Sequence, residues 1–255
     1  MGTITRDARP RTTRVEGFGL KYALVFGLLS VICAFYCVTL QPIFLRLLLG
    51  SLALCWFGVA LAYAKLGART FGKQRDGRLS LWSAVFWPYH LLNAFLLSLF
   101  RKSAKENPFD AIDDSILLGC KLSSEDESGL QKRDVRAVLD LTCEFSETPF
   151  LRTLNYRSIP VLDTHSPTLE QLREGARFLA DRAKDGAVYV HCALGHGRSA
   201  LFVAAYLIET GRARSAEEAT EIVRQKRANI ELAPAQLSRL EEFAQEKGSS
   251  NSKDG

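Results

Sequence analysis

The stretch VYVHCALGHGRSA, from Val188 to Ala200, decides the reading of this chain. Val188 and Val190 flank Tyr189 in a strand-like run, and Gly195 and Gly197 then break the chain into a tight loop. The apolar run from Ser199 to Thr210, closed by Gly211, reads as a helix. Set across this strand, loop and helix is the pattern HCxxGxxRS, made of His191, Cys192, Gly195, Arg198 and Ser199. A thiol attacks only as its thiolate, and an ordinary cysteine holds little thiolate at neutral pH. At a strand end facing the amino end of a helix, Cys192 meets backbone N–H groups and a positive dipole end, which favour the thiolate and bind a phosphate dianion. The expected phosphate cradle is Ala193, Leu194, Gly195, His196, Gly197 and Arg198, with the two glycines letting the loop curl into an anion nest. Arg198 brings a planar, permanently charged fork that clamps two phosphate oxygens. Ser199 is placed to donate to the sulfur as a leaving group, and His191 to orient the loop rather than act as a base.

Outward from this motif, α and β patterns alternate. Ser115–Leu118 is a short apolar run, Val135–Leu141 reads as a buried strand, Ser158–Leu162 as another, and Ala187–His191 as a third. Thr168–Lys184 carries apolar residues at helical spacing, with Pro167 fitting its first turn. Ser215-Ala216-Glu217-Glu218 reads as a capping box opening a helix, and Pro234 begins the last one, which is expected to run to about Glu246. The fold expected is α/β, a central and mostly parallel sheet flanked by helices, preceded by an α-helical transmembrane region.

The loop resembles the signature of the cysteine-dependent protein phosphatases, and residues 107–246 resemble their compact dual-specificity branch. The resemblance implies a two-step hydrolysis of phosphate monoesters through a phosphocysteine, with an aspartic acid protonating the departing oxygen, and with no metal or other cofactor. Asp163 stands 29 residues before Cys192, after Ile159-Pro160-Val161-Leu162 and ahead of a helix, where the resemblance puts that acid. His165 and His196 are expected at the pocket mouth, and Asp140 is expected to be structural. The resemblance favours a phosphoprotein substrate, phosphotyrosine first. A phospholipid monoester, of phosphatidylglycerophosphate or phosphoinositide type, is the alternative, and an inactive phosphate-binding module a third. The variable loop positions Ala193, Leu194, His196 and Gly197 lack the Lys or Arg that a polyanionic headgroup calls for.

The remaining chain bears on membranes. The net charge of +5 is modest and gathers beside apolar segments, which does not suggest nucleic-acid binding. The six cysteines form no CxxC pair, and apart from Cys192 they read as reduced and structural, the pattern of a cytoplasmic domain. Tyr22–Leu40 gives 19 uncharged residues and Leu47–Ala64 another 18, each enough for the roughly 30 Å hydrocarbon core. The second span following at once argues against a cleaved signal peptide. The organisation expected is a basic cytoplasmic arm at 1–21, a transmembrane hairpin at 22–64, a third apolar helix at 79–100, the phosphatase domain at 107–246 and a disordered tail at 247–255. Arg6, Arg9, Arg11, Arg14 and Lys21 before the hairpin, and Lys65, Arg69, Lys73, Arg75 and Arg78 after it, place both its ends in the cytoplasm. The third stretch, with Pro88, His90 and Asn93, is read as interfacial or re-entrant in preference to spanning. A spanning helix would put the catalytic domain outside.

Overall fold

The computed structural model of the chain describes residues 17–251, so residues 1–16 of the expected arm and 252–255 of the expected tail lie outside the described residues. α1 (Gly17–Thr39) and α2 (Ile43–Leu61) meet in antiparallel order, Cys37 against Arg46 at one end and Gly19 beside Tyr63 at the other. Their outer faces are apolar, with Leu28, Val31 and Leu47 all more than 60 % exposed, a surface suited to lipid rather than water. Gly19–Thr39, Ile43–Leu66 and Leu81–Ser103 are each long and apolar enough to cross a membrane. Arg46, which the charge reading leaves out of the hairpin tip, sits in the first turn of α2, its Nε donating to Cys37 O at 3.2 Å.

Beyond α2 come a turn of π-helix (Ala62–Leu66), a 3-10 turn (Ala68–Phe71) and a small hairpin in which Lys73 pairs with Leu79. A second 3-10 turn (Leu81–Phe86) leads into α3 (Trp87–Ser103), with Pro88 in its first turn, where no amide donor is needed.

The α/β domain is built on β1 (Phe109–Ala111), β2 (Ile116–Gly119), β3 (Val135–Asp140), β4 (Asn155–Ser158) and β5 (Ala187–His191). They lie in the order β1-β2-β5-β3-β4, with β1 antiparallel to β2 and every other pairing parallel. Two short helices, α4 (Glu127–Gln131) and α5 (Pro149–Thr153), lie in the connections on either side of β3. β5 is central and wholly buried, which is why it reads as a continuous apolar run. Val188 and Val190 face Leu118, Leu139, Leu172 and Phe202, while Tyr189 faces Leu117, Val138 and Leu151 on the other side. α7 (Arg198–Glu209) fills the centre of one layer, buried from Arg198 to Ile208, with α6 (Leu169–Arg182), α8 (Ala216–Lys226) and α9 (Pro234–Asn251) around it.

Four local expectations shift. Ser215 caps α8 by accepting from Glu218 N at 3.2 Å, but the Glu218 carboxylate takes the Arg214 amide at 2.7 Å, so the expected capping box is not closed. The strand expected at 158–162 is β4 at Asn155–Ser158; Pro160 has no amide to give the ladder, and Ile159 and Val161 instead donate to Asp140 O and Leu141 O as an extended segment. Thr168 caps α6, exchanging hydrogen bonds with Gln171, so Pro167 stands before the helix and not in it. The last helix continues past Glu246 to Asn251, so 247–251 of the expected disordered tail are helical, Lys247 pairing with Glu209 at 2.6 Å.

Candidate active site

β5 ends at His191, and the next residue begins a loop that closes on the amino end of α7. Cys192 is 3 % exposed, its Sγ 3.3 Å from Ser199 Oγ and receiving the Gly195 amide at 3.3 Å. Gly195 adopts φ +79, and a Cβ there would fall 2.6 Å from the Gly119 backbone, so no other residue fits. Gly197, expected to share that role, caps α7 at φ −104 and needs no left-handed conformation. The outer side of the loop is held in place. Lys121 N donates to Ala193 O at 2.9 Å, and Arg227 reaches Gly195 O at 3.0 Å and Leu194 O at 3.3 Å. Arg227 is itself anchored on Asp110 at 2.6 Å. His196 turns away from the cradle to Glu106, at 2.7 Å, and its ring stands edge-on to Phe100 at 5.5 Å.

Arg198 is buried, and its fork is gripped by Glu144, Nη2 to Oε1 at 2.7 Å and Nη1 to Oε2 at 3.1 Å. Nη1 also donates to Val161 O at 2.9 Å, while Nε has no hydrogen-bond partner among the described residues. A buried donor left open beside a ring of amides is the kind of group an anion satisfies. Burial alone would raise the Glu144 carboxyl, but the guanidinium outweighs it and holds Glu144 below the usual carboxylate range. Asp163 is 64 % exposed at its side chain and lies 3.4 Å from Arg198 Nη2. Thr164 follows it at φ +60, an unusual conformation for a β-branched residue, fixed by His165 N to Leu162 O at 3.1 Å and Gln236 Nε2 to His165 O at 3.0 Å. The His165 ring stands 5.3 Å from that of Tyr63, and burial keeps it below its ordinary pKa. Both histidines expected at the pocket mouth therefore touch the amino-terminal helical region.

Behind the loop, His191 Nε2 lies 2.9 Å from Glu147 Oε2 and 3.8 Å from Asp140 Oδ1, all three fully buried at their side chains. His191 Nδ1 is 3.3 Å from Cys192 O, consistent with orienting the loop. Asp140, His191 and Glu147 bring three ligand-type atoms within 4.8 Å of one another. Their cations are already supplied: Lys73 stands 2.7 Å from Asp140 and Lys121 2.6 Å from Glu147. Lys73 also donates to Thr142 Oγ1 at 3.2 Å and to Phe145 O. Burial would raise Asp140, but Lys73 and then His191 hold it far below the carboxylate range. The charge reading takes Lys73 as one of the cations flanking the hairpin; its ammonium is instead fully buried against Asp140. Burial pushes the Cys120 and Cys143 thiols up, so neither competes as a nucleophile.

Sequence reasoning missed Glu144, Glu147, Arg227 and Lys73. Glu144 and Glu147 lie in CEFSE directly after the buried LDLT strand end, where two acids beside a core strand are unusual enough to have been a signal. Arg227 and Lys73 carry no such mark.

Residues 116–246 match the family described as dual specificity phosphatase, catalytic domain. The chain is similar to the human phosphatidylglycerophosphatase and protein-tyrosine phosphatase 1, 35 % identical over 187 residues that cover 67 % of this chain and 90 % of the relative. It is also similar to mouse dual specificity protein phosphatase 2, 35 % identical over 117 residues, 45 % of this chain and 36 % of that one. Among solved structures, PTPMT1 in complex with PI(5)P superposes with a TM-score of 0.52 at 30 % identity, covering 57 % of this chain and 99 % of that chain.

Proposed function

This chain belongs to the dual-specificity phosphatase catalytic-domain family and is a cysteine-based phosphatase; from that premise we propose that its substrate is a phospholipid phosphate monoester presented by the membrane in which its helices sit. The observation that carries the reading is which helices the two loops beside Cys192 rest on. The acid-bearing loop rests on Tyr63 through His165, and the phosphate loop rests on Phe100 through His196. A substrate entering between those loops passes the helices that are apolar on their outer faces. The similarity to a relative named phosphatidylglycerophosphatase and protein-tyrosine phosphatase 1, and to PTPMT1 solved with PI(5)P, adds support for a lipid, although the first name carries the protein reading as well. The phosphoprotein reading expected first from the sequence lacks such a contact.

In the proposed chemistry the Cys192 thiolate attacks phosphorus while the ester P–O bond breaks, and Asp163 gives its proton to the departing alkoxide. The Asp163 carboxylate then takes a proton from water, whose oxygen attacks phosphorus as the P–S bond breaks, releasing phosphate and the thiolate. Arg198, oriented by Glu144, and the loop amides from Ala193 to Arg198 hold the phosphoryl oxygens. Ser199 donates to the leaving sulfur, and His191 keeps the loop oriented. No loop side chain adds a cation, so the headgroup taken is one whose terminal phosphate carries most of the recognition.

The test is phosphate release by the full chain in vesicles, from phosphatidylglycerophosphate or PI(5)P and from a phosphotyrosyl peptide, beside Cys192→Ser. We expect kcat/KM on a membrane lipid to exceed that on the peptide by at least about 10-fold. Equal or better turnover of the peptide would return the protein-phosphatase reading. No turnover by a folded wild type would leave a binding module.

A further inference from the structure

The third apolar stretch, Leu81–Ser103, is long and apolar enough to cross a membrane, yet one folded body holds both its ends. Upstream of it, Lys73 is buried against Asp140 at 2.7 Å, and Gly77 O accepts the Glu147 amide at 2.8 Å. Near the start of α3, His90 Nδ1 lies 2.8 Å from Glu144 O. At its other end the Phe100 ring meets His196, and Arg101 pairs with Asp126 at 2.5 Å. Glu144 grips Arg198, which is two positions from His196 in the phosphate loop. His90 and Phe100 are ten positions apart, about 15 Å along a helix, so α3 runs along the edge of the catalytic loop. A helix crossing the roughly 30 Å hydrocarbon core separates its two ends onto opposite faces. Here the hairpin before α3 and the α/β domain after it are bonded to each other through buried charge, so both ends lie on one face.

We propose that α3 lies in the plane of the membrane, its outward face in contact with acyl chains, and holds the mouth of the phosphate loop at headgroup depth. The residues divide as that placement demands. Phe86, Tyr89, His90, Asn93, Leu97 and Phe100 turn inward at spacings of three and four, while Leu91, Phe95, Leu96 and Leu99 are 47–60 % exposed. The occupant of that face is the bilayer, because α3 packs beside α1 and α2, Tyr89 against Phe26, whose own outer faces are apolar and exposed, and it ends near Lys102, an exposed cation suited to lipid phosphates. The inference rests on α1 and α2 spanning the membrane and not on which phosphate ester is cleaved.

Sidedness tests it in the full chain in sealed vesicles, with cysteines introduced as Gln41→Cys at the hairpin tip, Asp76→Cys before α3 and Lys184→Cys in the α/β domain. Each is labelled with a membrane-impermeant maleimide and read by peptide mass. Asp76→Cys and Lys184→Cys label from the same side, and Gln41→Cys from the other. Opposite labelling of Asp76→Cys and Lys184→Cys overturns the inference by making α3 a span. Gln41→Cys labelling with Asp76→Cys removes its premise, and with it the inference, while leaving the lipid-substrate reading to its own assay. Spin labels at Leu91→Cys and Leu99→Cys then report depth. Equal depths with preferential access to oxygen are expected, whereas a spanning helix separates them by about 12 Å, and water-exposed labels at both positions would show that no lipid covers the face.

Discussion

The phosphate loop and the polar network behind it are built in opposite ways. The loop draws Cys192, Gly195, Arg198 and Ser199 from eight consecutive residues, and its geometry follows from a strand, a left-handed glycine and a helix start in immediate succession. The network draws Lys73, Lys121, Asp140, Glu147 and His191 from segments up to 118 positions apart, and one of them comes from the linker between the apolar helices. Local chemistry can be moved as a cassette. A buried ion pair spanning the chain cannot, because removing one partner leaves the other charged in the core. The amino-terminal region is thus more than a tether: it supplies a cation to the interior of the enzyme.

The largest effect breaks the local half of that comparison. Cys192→Ser should abolish turnover, by at least about 10⁴-fold, with folding unchanged by circular dichroism. Asp163→Asn comes next, about 10²- to 10⁴-fold on an alkyl ester with a poor leaving group and much less on an aryl phosphate whose leaving group needs no proton. If Asp163→Asn slows both esters equally, the acid is elsewhere.

The distributed half answers to stability. Lys73→Met should destabilise the chain by about 3–5 kcal/mol, read by thermal unfolding in detergent, since it strands Asp140 in the core. Acid sharpens the point. The folded Asp140 and Glu144 carboxyls titrate below their unfolded values, so the stability they contribute is complete above about pH 4.5 and is lost as pH falls through the carboxylate range. A chain whose unfolding midpoint holds steady from pH 5 to pH 3 would contradict these two buried pairs. The smallest effect is the control: Arg157→Ala, which removes an exposed pair with Glu174, should change stability by no more than about 0.5 kcal/mol.

The same contrast explains what the sequence made legible. The strand–loop–helix around Cys192, the helical hairpin and the position of Asp163 are carried by local pattern, and the structure brings Asp163 to 3.4 Å from Arg198. β4 slipped by three residues because Ser158–Leu162 is apolar enough to read as a strand, while the pairing is made by the more polar Asn155–Ser158 at the sheet edge. Lys73 was invisible for a different reason. Among Lys65, Arg69, Arg75 and Arg78 it looks like one more headgroup cation, and only the fold reveals that its partner is Asp140. Glu144 is similar: nothing within reach along the chain announces the arginine 54 positions away that it grips.

The most direct test is a double-mutant cycle between Lys73 and Asp140 in the full chain, using Lys73→Met and Asp140→Asn. If the linker between the apolar helices is part of the catalytic core, the single changes each destabilise strongly and the double change costs well under their sum, with a coupling of about 2 kcal/mol or more. Additive effects would contradict the account, and would mean that the amino-terminal helices and the phosphatase fold are separate bodies on one chain.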